Sequence, residues 1–171
     1  MPLDMVTPIM RSRAKAVNFG IVYGIGAFSL AKDIGVSNKE AKHYIESYLA
    51  HYSGVDSYMK NVVERAKADG YVETMFGRRR NLPELTSSKH MIRAFGERVA
   101  RNMPIQGTAA DIIKIAMIKV DERMKSENLR ARLVLQVHDE LIVEAPQDES
   151  MRVALIVQEE MENAVKMSVP L

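Results

Sequence analysis

The sequence contains no cysteine, which excludes both a disulfide framework and a thiolate metal site and fits a reducing compartment. It has no run of about 18 apolar residues, the length needed to span a bilayer. Its first residues lack the basic and apolar regions of a signal peptide. With 171 residues and 47% hydrophobic content, the chain is long enough to form one domain or two small ones. We therefore expect a globular, cytoplasmic protein.

Charge is distributed unevenly along the chain. Residues 1–101 carry 16 Lys/Arg against 10 Asp/Glu, whereas residues 102–171 carry 8 against 12. A basic part suits a polyanionic partner and an acidic part suits metal ions, although soluble domains also show such splits by chance. The charge distribution alone therefore does not assign a function.

The segment from Arg11 to Tyr23 places two cations and two rings at steps of four, in the order Arg11, Lys15, Phe19, Tyr23. In a helix each step drifts by about 40°, so these side chains form one stripe about 18 Å long, called here the α1 stripe. Small apolar residues should pack inward on the other side: Ala14, Val17, Ile21 and Gly24. Cations followed by flat rings match the order of parts in a nucleoside triphosphate. The alternative is an amphipathic helix that buries Phe19 and Tyr23.

Local signals predict two further helices after this segment. Ser37 and Glu40 form a capping box that begins a helix ending near His51. Residues 55–69 continue with helical spacing, and Gly70 closes that helix. The first 70 residues should therefore be almost entirely helical.

Two segments interrupt the helical pattern. Residues 24–29 indicate a loop between helices. Residues 71–82 have β-formers on both sides of Phe76-Gly77-Arg78, which predicts a short hairpin with a basic tip. A helix capped by Ser87 or Ser88 should then be broken or bent at Pro104, because proline lacks the N–H that the helix needs. Helical spacing resumes at residue 109.

Near the C-terminus, two apolar strands at residues 133–137 and 141–143 flank His138-Asp139-Glu140, and residues 148–166 are predicted to be helical. If the strands are rigid and buried, they would hold carboxylates at one point, as a hard divalent cation requires. The alternative to a metal site is an ordinary polar hairpin turn. A complete two-metal site needs a second carboxylate, and none of the candidates has a strand context that nominates it: Asp4, Asp33, Asp56 and Asp111.

A third pattern places Arg98, Asn102 and Gln106 at steps of four. Arginine holds phosphate in a bidentate manner, while amide side chains donate to and accept from base edges, so the trio suits a nucleic-acid groove. An ordinary solvated helix face would have the same pattern. Nearby basic residues would extend a phosphate-tracking surface or simply be solvated: Arg78, Arg79, Arg80, Lys89 and Arg93.

Taken in order, four motifs resemble bacterial family A DNA polymerases, the DNA polymerase I type. They are the α1 stripe with its glycines, Gly70-Tyr-Val-Glu-Thr-Met-Phe-Gly-Arg-Arg-Arg80, Arg98 to Asp111 with Asn102-Met-Pro-Ile-Gln-Gly, and Gln136-Val-His-Asp-Glu-Leu141. The resemblance covers nearly the whole chain. It implies an α+β fold, with mostly helical fingers in residues 1–70 and part of an antiparallel-sheet palm in residues 71–171.

The resemblance also implies roles for individual residues. Arg11 and Lys15 would bind the triphosphate of an incoming deoxynucleotide, and Lys15 would also donate a proton to pyrophosphate. Phe19 would lie against the sugar and disfavour dideoxynucleotides, and Tyr23 would pack at the template or nascent base pair. Asp139 would ligate Mg²⁺ with support from Glu140, and primer-template DNA would contact Arg98, Asn102, Gln106 and His138.

The chain departs from the family pattern in what it lacks. The family's other metal-binding aspartate lies in a strand motif of the type Asp-Tyr-Ser-Gln-Ile-Glu, which these 171 residues do not contain. We therefore expect a piece of a bacterial, nucleoid-associated replication and repair enzyme that is inactive without the remaining polymerase subdomains. The alternative is a non-catalytic nucleic-acid-binding or accessory module with the same fold.

Overall fold

The computed structural model describes residues 2–171. Backbone contacts divide the chain into two compact units, the first ending at Ile105 and the second running from Gln106 to Leu171. The elements are, in order, α1 (Pro8–Val22), α2 (Ala27–Ile34), α3 (Asn38–His51), α4 (Ser53–Asp69), β1 (Tyr71–Glu73), β2 (Arg79–Asn81), α5 (His90–Ser126), β3 (Arg132–Val137), β4 (Glu140–Glu144) and α6 (Ser150–Glu162), with short 3₁₀ helices at Leu3–Met5 and Pro83–Thr86. In the described part of the chain, no helix combines the length and apolar character that crossing a membrane requires.

Helix α1 has defined signals at both ends. The Thr7 hydroxyl accepts a hydrogen bond from the Met10 N–H at 3.2 Å, and Pro8 occupies the first turn, where its missing N–H costs nothing. At the other end the Ile25 N–H donates to the Gly20 carbonyl at 2.7 Å, and Gly24 has φ +68. This is a Schellman ending, which needs a residue free to adopt the left-handed region.

The buried side of α1 differs in part from the prediction. Ile21 is buried and Val17 packs on a core cluster formed by α2 and α3, as expected, but Ala14 is exposed. Ala16 takes the inward position instead. The predicted inward face of α1 was therefore wrong at Ala14, because α3 leaves a groove beside this part of α1.

The other helices of the first unit follow their local signals, with one addition. The capping box is present: the Glu40 N–H donates to the Ser37 hydroxyl at 3.2 Å, and the Ser37 N–H donates back to the Glu40 carboxylate at 3.0 Å. Gly70 ends α4 with φ +79. Helix α2 replaces part of the loop predicted at residues 24–29, because Leu30 and Ile34 together bury its inner face.

Strands β1 and β2 form the predicted antiparallel hairpin, with Val72 opposite Arg80. The helix that follows is not broken at Pro104, so the predicted break was wrong: α5 continues as one helix from His90 to Ser126. Its residues are buried on both sides of the proline, with Ala100 and Met103 in one core cluster and Val120 and Met124 in another. This packing offsets the cost of one missing backbone donor.

In the second unit, one face of the β3–β4 hairpin packs on α5 and α6 through a core centred on Val120, Met124, Val153 and Ile156. The opposite face is exposed at Val134, Leu135, Val137 and Ile142. The strands are therefore not the fully buried pair that the sequence interpretation assumed.

Helix α6 is shorter than predicted and ends at Glu162. Asn163 adopts a non-helical conformation there, and the Lys119 ammonium donates to the Asn163 and Ala164 carbonyls at 2.9 and 2.8 Å. A cation at a helix C-terminus satisfies carbonyls that the helix itself leaves unpaired. The α+β class, mostly helical with small antiparallel sheets, is confirmed.

Candidate functional site

All four residues of the α1 stripe are exposed. The Lys15 ammonium lies 5.7 Å from the centre of the Phe19 ring, and the Phe19 and Tyr23 rings are stacked with centroids 6.3 Å apart and planes inclined by 17°. Phe19 and Tyr23 keep 46% and 43% of their surface accessible. The alternative in which these rings enter the core is therefore wrong, and the stripe presents charge followed by aromatic surface.

Two glycines position the aromatic end of the stripe. A Cβ on Gly20 would lie 2.5 Å from the Ile25 Cγ2, so a larger residue there would force the Ile25 side chain to shift. Gly24, with φ +68, then turns the chain immediately after Tyr23. Both glycines hold Tyr23 at the end of α1 with its ring outward.

A cleft of about 470 Å³ brings part of the candidate site together within the first unit. It is lined by Phe19 and Tyr23 from α1, by Ser29 and Asp33 from α2, and by Arg98 from α5. The sequence patterns assigned Phe19 and Tyr23 to a nucleotide and Arg98 to DNA. The structure places these three side chains around one cleft.

The three polar residues of α5 are in different environments. Arg98 is exposed, and its guanidinium carbon lies 5.9 Å from the Phe95 ring centre. Gln106 is exposed at the start of the second unit. Asn102 is half-buried, and its Oδ1 is buried without a hydrogen-bond partner among the described residues. A buried acceptor without a donor is costly, which suits a ligand that supplies the donor.

The basic residues that precede Arg98 in the sequence differ in their contacts. Arg79 lies over the Tyr71 ring at 4.4 Å and pairs with Glu73 at 3.2 Å, so it stabilises the hairpin. Arg93 donates to the Ser87 and Ser88 carbonyls at 2.7 and 2.9 Å and so fixes the segment before α5. Arg79 nevertheless remains exposed, as do Arg78, Arg80 and Lys89.

The acidic turn joins β3 to β4 through two residues, since Val137 pairs with Glu140. His138 has φ +53, which a two-residue hairpin turn requires at its first position and which is strained for a residue other than glycine. The Gln136 amide donates to the His138 carbonyl and closes the turn. Asp139 and Glu140 are both exposed, so their carboxylates are accessible to a ligand.

No group of three or more metal-ligating side chains exists among the described residues. The donor set at the turn nevertheless fits Mg²⁺ in part, because this ion takes one or two protein carboxylates and fills its other positions with water and phosphate oxygens. The described residues give Asp139 and Glu140 no cationic partner that would compete for the ion. Asp111, which was considered as the second carboxylate, is buried.

Sequence reasoning missed a second groove beside the α1 stripe. This groove, called here the α1–α3 groove, has a volume of about 870 Å³. One wall carries Tyr44, Tyr48 and Tyr52, which lie at steps of four along and just beyond α3. The spacing was visible in the sequence, but nothing there indicated that this face lies beside α1.

Comparisons with known proteins find the same family that the four sequence motifs resemble. The model of DNA polymerase family A matches residues 1–171. The chain is 56% identical over 168 residues to DNA polymerase I of Bacillus caldotenax and 53% identical to that of Bacillus subtilis, covering 98% of this chain and 19% of each relative. It also superposes with a TM-score of 0.94 on the polymerase domain of M. smegmatis Pol1, solved with DNA primer-template and dNTP, at 48% identity and covering 100% of this chain and 30% of that one.

The fold and the matches together define a piece of a right-hand polymerase domain. The chain belongs to DNA polymerase family A. It spans about a fifth of the length of the curated relatives it matches.

Proposed function

We propose that this chain forms the fingers and part of the palm of a DNA-templated DNA polymerase. The observation that carries the proposal is the exposed α1 stripe, whose rings share one cleft with Arg98. In this proposal residues 1–70 are the fingers helices and residues 71–171 are the partial palm. The proposed setting is the cytoplasm of a bacterium, at the nucleoid, in replication and repair.

The nucleotide would lie along the α1 stripe. Arg11 and Lys15 would hold its triphosphate, since both are exposed cations without an ion-pair partner among the described residues. Phe19 would lie against the sugar, and Tyr23 would pack at the template or nascent base pair. Lys15 would also protonate the leaving pyrophosphate, because its ammonium is the one nearest the stripe's rings and can move its donors freely.

Primer-template DNA would be held by α5 and the acidic turn. Arg98 would bind phosphate, and the unpartnered Asn102 Oδ1 would accept a hydrogen bond from DNA. Gln106 and His138 would add contacts from the second unit. The reaction joins the primer 3′-oxygen to the α-phosphorus of the nucleotide, while the bond to pyrophosphate breaks.

Asp139 would hold Mg²⁺, with Glu140 supporting it from the first position of β4. Two such ions in the complete enzyme would activate the primer hydroxyl and stabilise negative charge on the leaving group. A polypeptide of these 171 residues alone would be inactive, because it supplies only one of the metal-binding carboxylate segments that the family pattern contains.

Primer extension by a chimera tests the proposal. In the chimera, this chain replaces the matching segment of Bacillus caldotenax DNA polymerase I, so that the missing subdomains come from the relative. We expect Mg²⁺-dependent extension by the chimera, none by the 171-residue chain alone, and none by the chimera carrying Asp139→Asn. A chimera that binds primer-template and yet extends nothing would instead favour a non-catalytic nucleic-acid-binding module.

A further inference from the structure

Helix α1 is loosely packed over the half that carries its cations. Its buried residues are Gly20 and Ile21, and both lie in its last turn. Ala16 and Val17 are half-buried against the core cluster formed by α2 and α3, whereas residues 8–15 are all exposed. The cationic part of the α1 stripe therefore lies on a stretch of helix that core packing does not hold in place.

One side-chain hydrogen bond joins α1 to α3. The Tyr48 hydroxyl donates to the Asn18 Oδ1 at 2.7 Å, across 30 positions of sequence. Tyr48 is half-buried, and its ring centre lies 4.8 Å from that of Tyr52, so the side chain is already restrained on α3. Helix α3 is itself anchored in the core through Ala41, which is fully buried, and through Ile45. The bond therefore links the loosely packed helix to a firmly packed one.

The position of Asn18 on α1 connects this bond to the cations. Asn18 follows Arg11 by seven residues, which places it about 20° from Arg11 around the helix, and Lys15 lies one turn before it. A bond at this position resists rotation of α1 about its own axis. With side chains the helix has a radius of about 5–6 Å, so a rotation of about 10° moves their ends by about 1 Å. A misplacement of about 1 Å can cost about 10²-fold in rate.

We propose that Tyr48 is a positioning residue for the nucleotide, because its bond to Asn18 fixes the rotation of α1. The fixed rotation aims the Arg11 and Lys15 side chains at the triphosphate. This inference rests on the proposed polymerase function and adds a residue of α3 to it. Tyr48 acts through Asn18 and does not itself contact the nucleotide. A purely structural bond would stabilise the first unit and leave nucleotide binding and incorporation unchanged.

Tyr48→Phe in the chimera tests the proposal, since it removes the hydroxyl and keeps the ring. The ratio of incorporation rate to apparent nucleotide dissociation constant should fall about tenfold, the value of one lost hydrogen bond. Affinity for primer-template should not change. Single-turnover extension at a series of nucleotide concentrations and a DNA-binding titration measure the two quantities. Tyr44→Phe is the matched control, because Tyr44 lines the same groove and its hydroxyl has no hydrogen-bond partner among the described residues.

Two double-mutant cycles separate positioning from general stabilisation. Asn18→Leu removes the acceptor at a similar volume, so Tyr48→Phe/Asn18→Leu should lose no more than the more damaging single variant. The loss caused by Tyr48→Phe should also shrink in a Lys15→Ala background, because the ammonium that it positions is gone. Additive losses in either cycle would overturn the proposal.

A binding measurement gives a second readout that needs no extension. Inorganic tripolyphosphate carries the charge of the triphosphate without a sugar or base, and calorimetry follows its binding to the 171-residue chain. Tyr48→Phe should weaken this binding about threefold to tenfold, the range that one hydrogen bond contributes, and Tyr44→Phe should leave it unchanged. Thermal unfolding followed by circular dichroism checks that each variant is folded. A lower melting temperature for Tyr48→Phe with unchanged binding and incorporation would show a structural bond only and would overturn the proposal.

The outcomes distinguish this proposal from the polymerase proposal. If the chimera extends primers and Tyr48→Phe behaves like wild type or like Tyr44→Phe, the positioning role is wrong and the polymerase function stands. If the chimera extends nothing while tripolyphosphate binding depends on the Tyr48 hydroxyl, the polymerase function is wrong and the bond still positions the cations for an anion. If the chimera extends nothing and the chain does not bind tripolyphosphate, both proposals are wrong.

Discussion

The Lys15 ammonium lies 5.7 Å from the centre of the Phe19 ring, one helical turn away along α1. Both side chains are exposed, so the contact contributes at most about 0.5–1 kcal/mol to stability. Its importance is geometric. The ammonium lies beside the position where we propose that sugar and phosphate meet, and the described residues give it no carboxylate partner.

Lys15→Ala in the chimera should therefore lower the rate of nucleotide incorporation about 10²–10⁴-fold, the usual contribution of a positioned proton donor. Affinity for duplex primer-template should remain nearly unchanged. Single-turnover extension and a DNA-binding titration measure the two effects separately. Lys32→Ala, at an exposed lysine of α2, is the control and should alter neither. A large loss of DNA affinity with Lys15→Ala would show that the α1 stripe contacts DNA and not the nucleotide.

Phe19 has no polar atom on its ring, so it offers no hydrogen bond in place of a missing sugar hydroxyl. We expect the chimera to discriminate against dideoxynucleotides for this reason. Phe19→Tyr should reduce that discrimination about tenfold, the value of one hydrogen bond of about 1.4 kcal/mol. Competition between a deoxynucleotide and its dideoxy analogue measures the ratio. Phe28→Tyr changes another exposed phenylalanine and should leave the ratio as it was.

Arg98 lines the cleft that contains Phe19 and Tyr23, and we propose that it binds a template or primer phosphate. Arg98→Ala in the chimera should weaken primer-template binding and reduce the salt slope by about one unit. Titrations at several salt concentrations give the slope. Arg65→Ala removes an exposed arginine of α4 and should leave the slope intact. An unaltered slope for Arg98→Ala would contradict the proposed contact.

Gly24 ends α1 with φ +68, a conformation that costs other residues about 1–2 kcal/mol. Gly24→Ala should destabilise the 171-residue chain by about that amount, and a Cβ there would also approach the Arg101 Nη1 at 3.2 Å. Urea denaturation measures the change. Gly54→Ala is a control of opposite sign: it lies in α4 with open space around it, so it should stabilise by up to about 0.5–1 kcal/mol. Equal effects would contradict this account.

Features with a local chemical cause were predictable from the sequence. The capping box at Ser37 and the glycine stop at Gly70 depend on residues within four positions, and the structure has both. The exposure of Phe19 and Tyr23 was one of two alternatives, because a helical stripe alone does not say which face meets the core. The structure decides it through Ile21, which is buried on the other side.

Features decided by distant packing were not predictable. Pro104 was expected to break or bend its helix, and the break does not occur, because residues buried on both sides of it keep α5 continuous. Helix α2 has only eight residues, too few for a clear period, and it forms because Leu30 and Ile34 are buried. The α1–α3 groove was invisible for the same reason, since its walls are 30 residues apart in the sequence. The motifs indicated the family, whereas the neighbours of α1 had to come from the structure.

An ion-pair network in the second unit predicts a particular response to acid. Arg152 donates to both Glu127 oxygens at 2.6 and 2.5 Å, and Arg123 adds a third bond at 3.3 Å. These partners, Arg152 first, hold the pKa of Glu127 below its ordinary value of about 4.5. Because the folded state favours the charged form, the pair's stabilisation is fully present above that value and is lost as the pH falls through the lowered pKa.

Glu127→Gln should therefore make the 171-residue chain less stable at pH 7, while its stability should fall less steeply than that of wild type below about pH 4.5. Urea denaturation at a series of pH values between 7 and 3 gives both curves. Glu122→Gln, at an exposed carboxylate of the same helix without an ion pair among the described residues, should follow the wild-type curve. If wild type and Glu127→Gln lose stability in parallel as the pH falls, Glu127 has the same pKa in the folded and unfolded chain, and the network does not hold its charge.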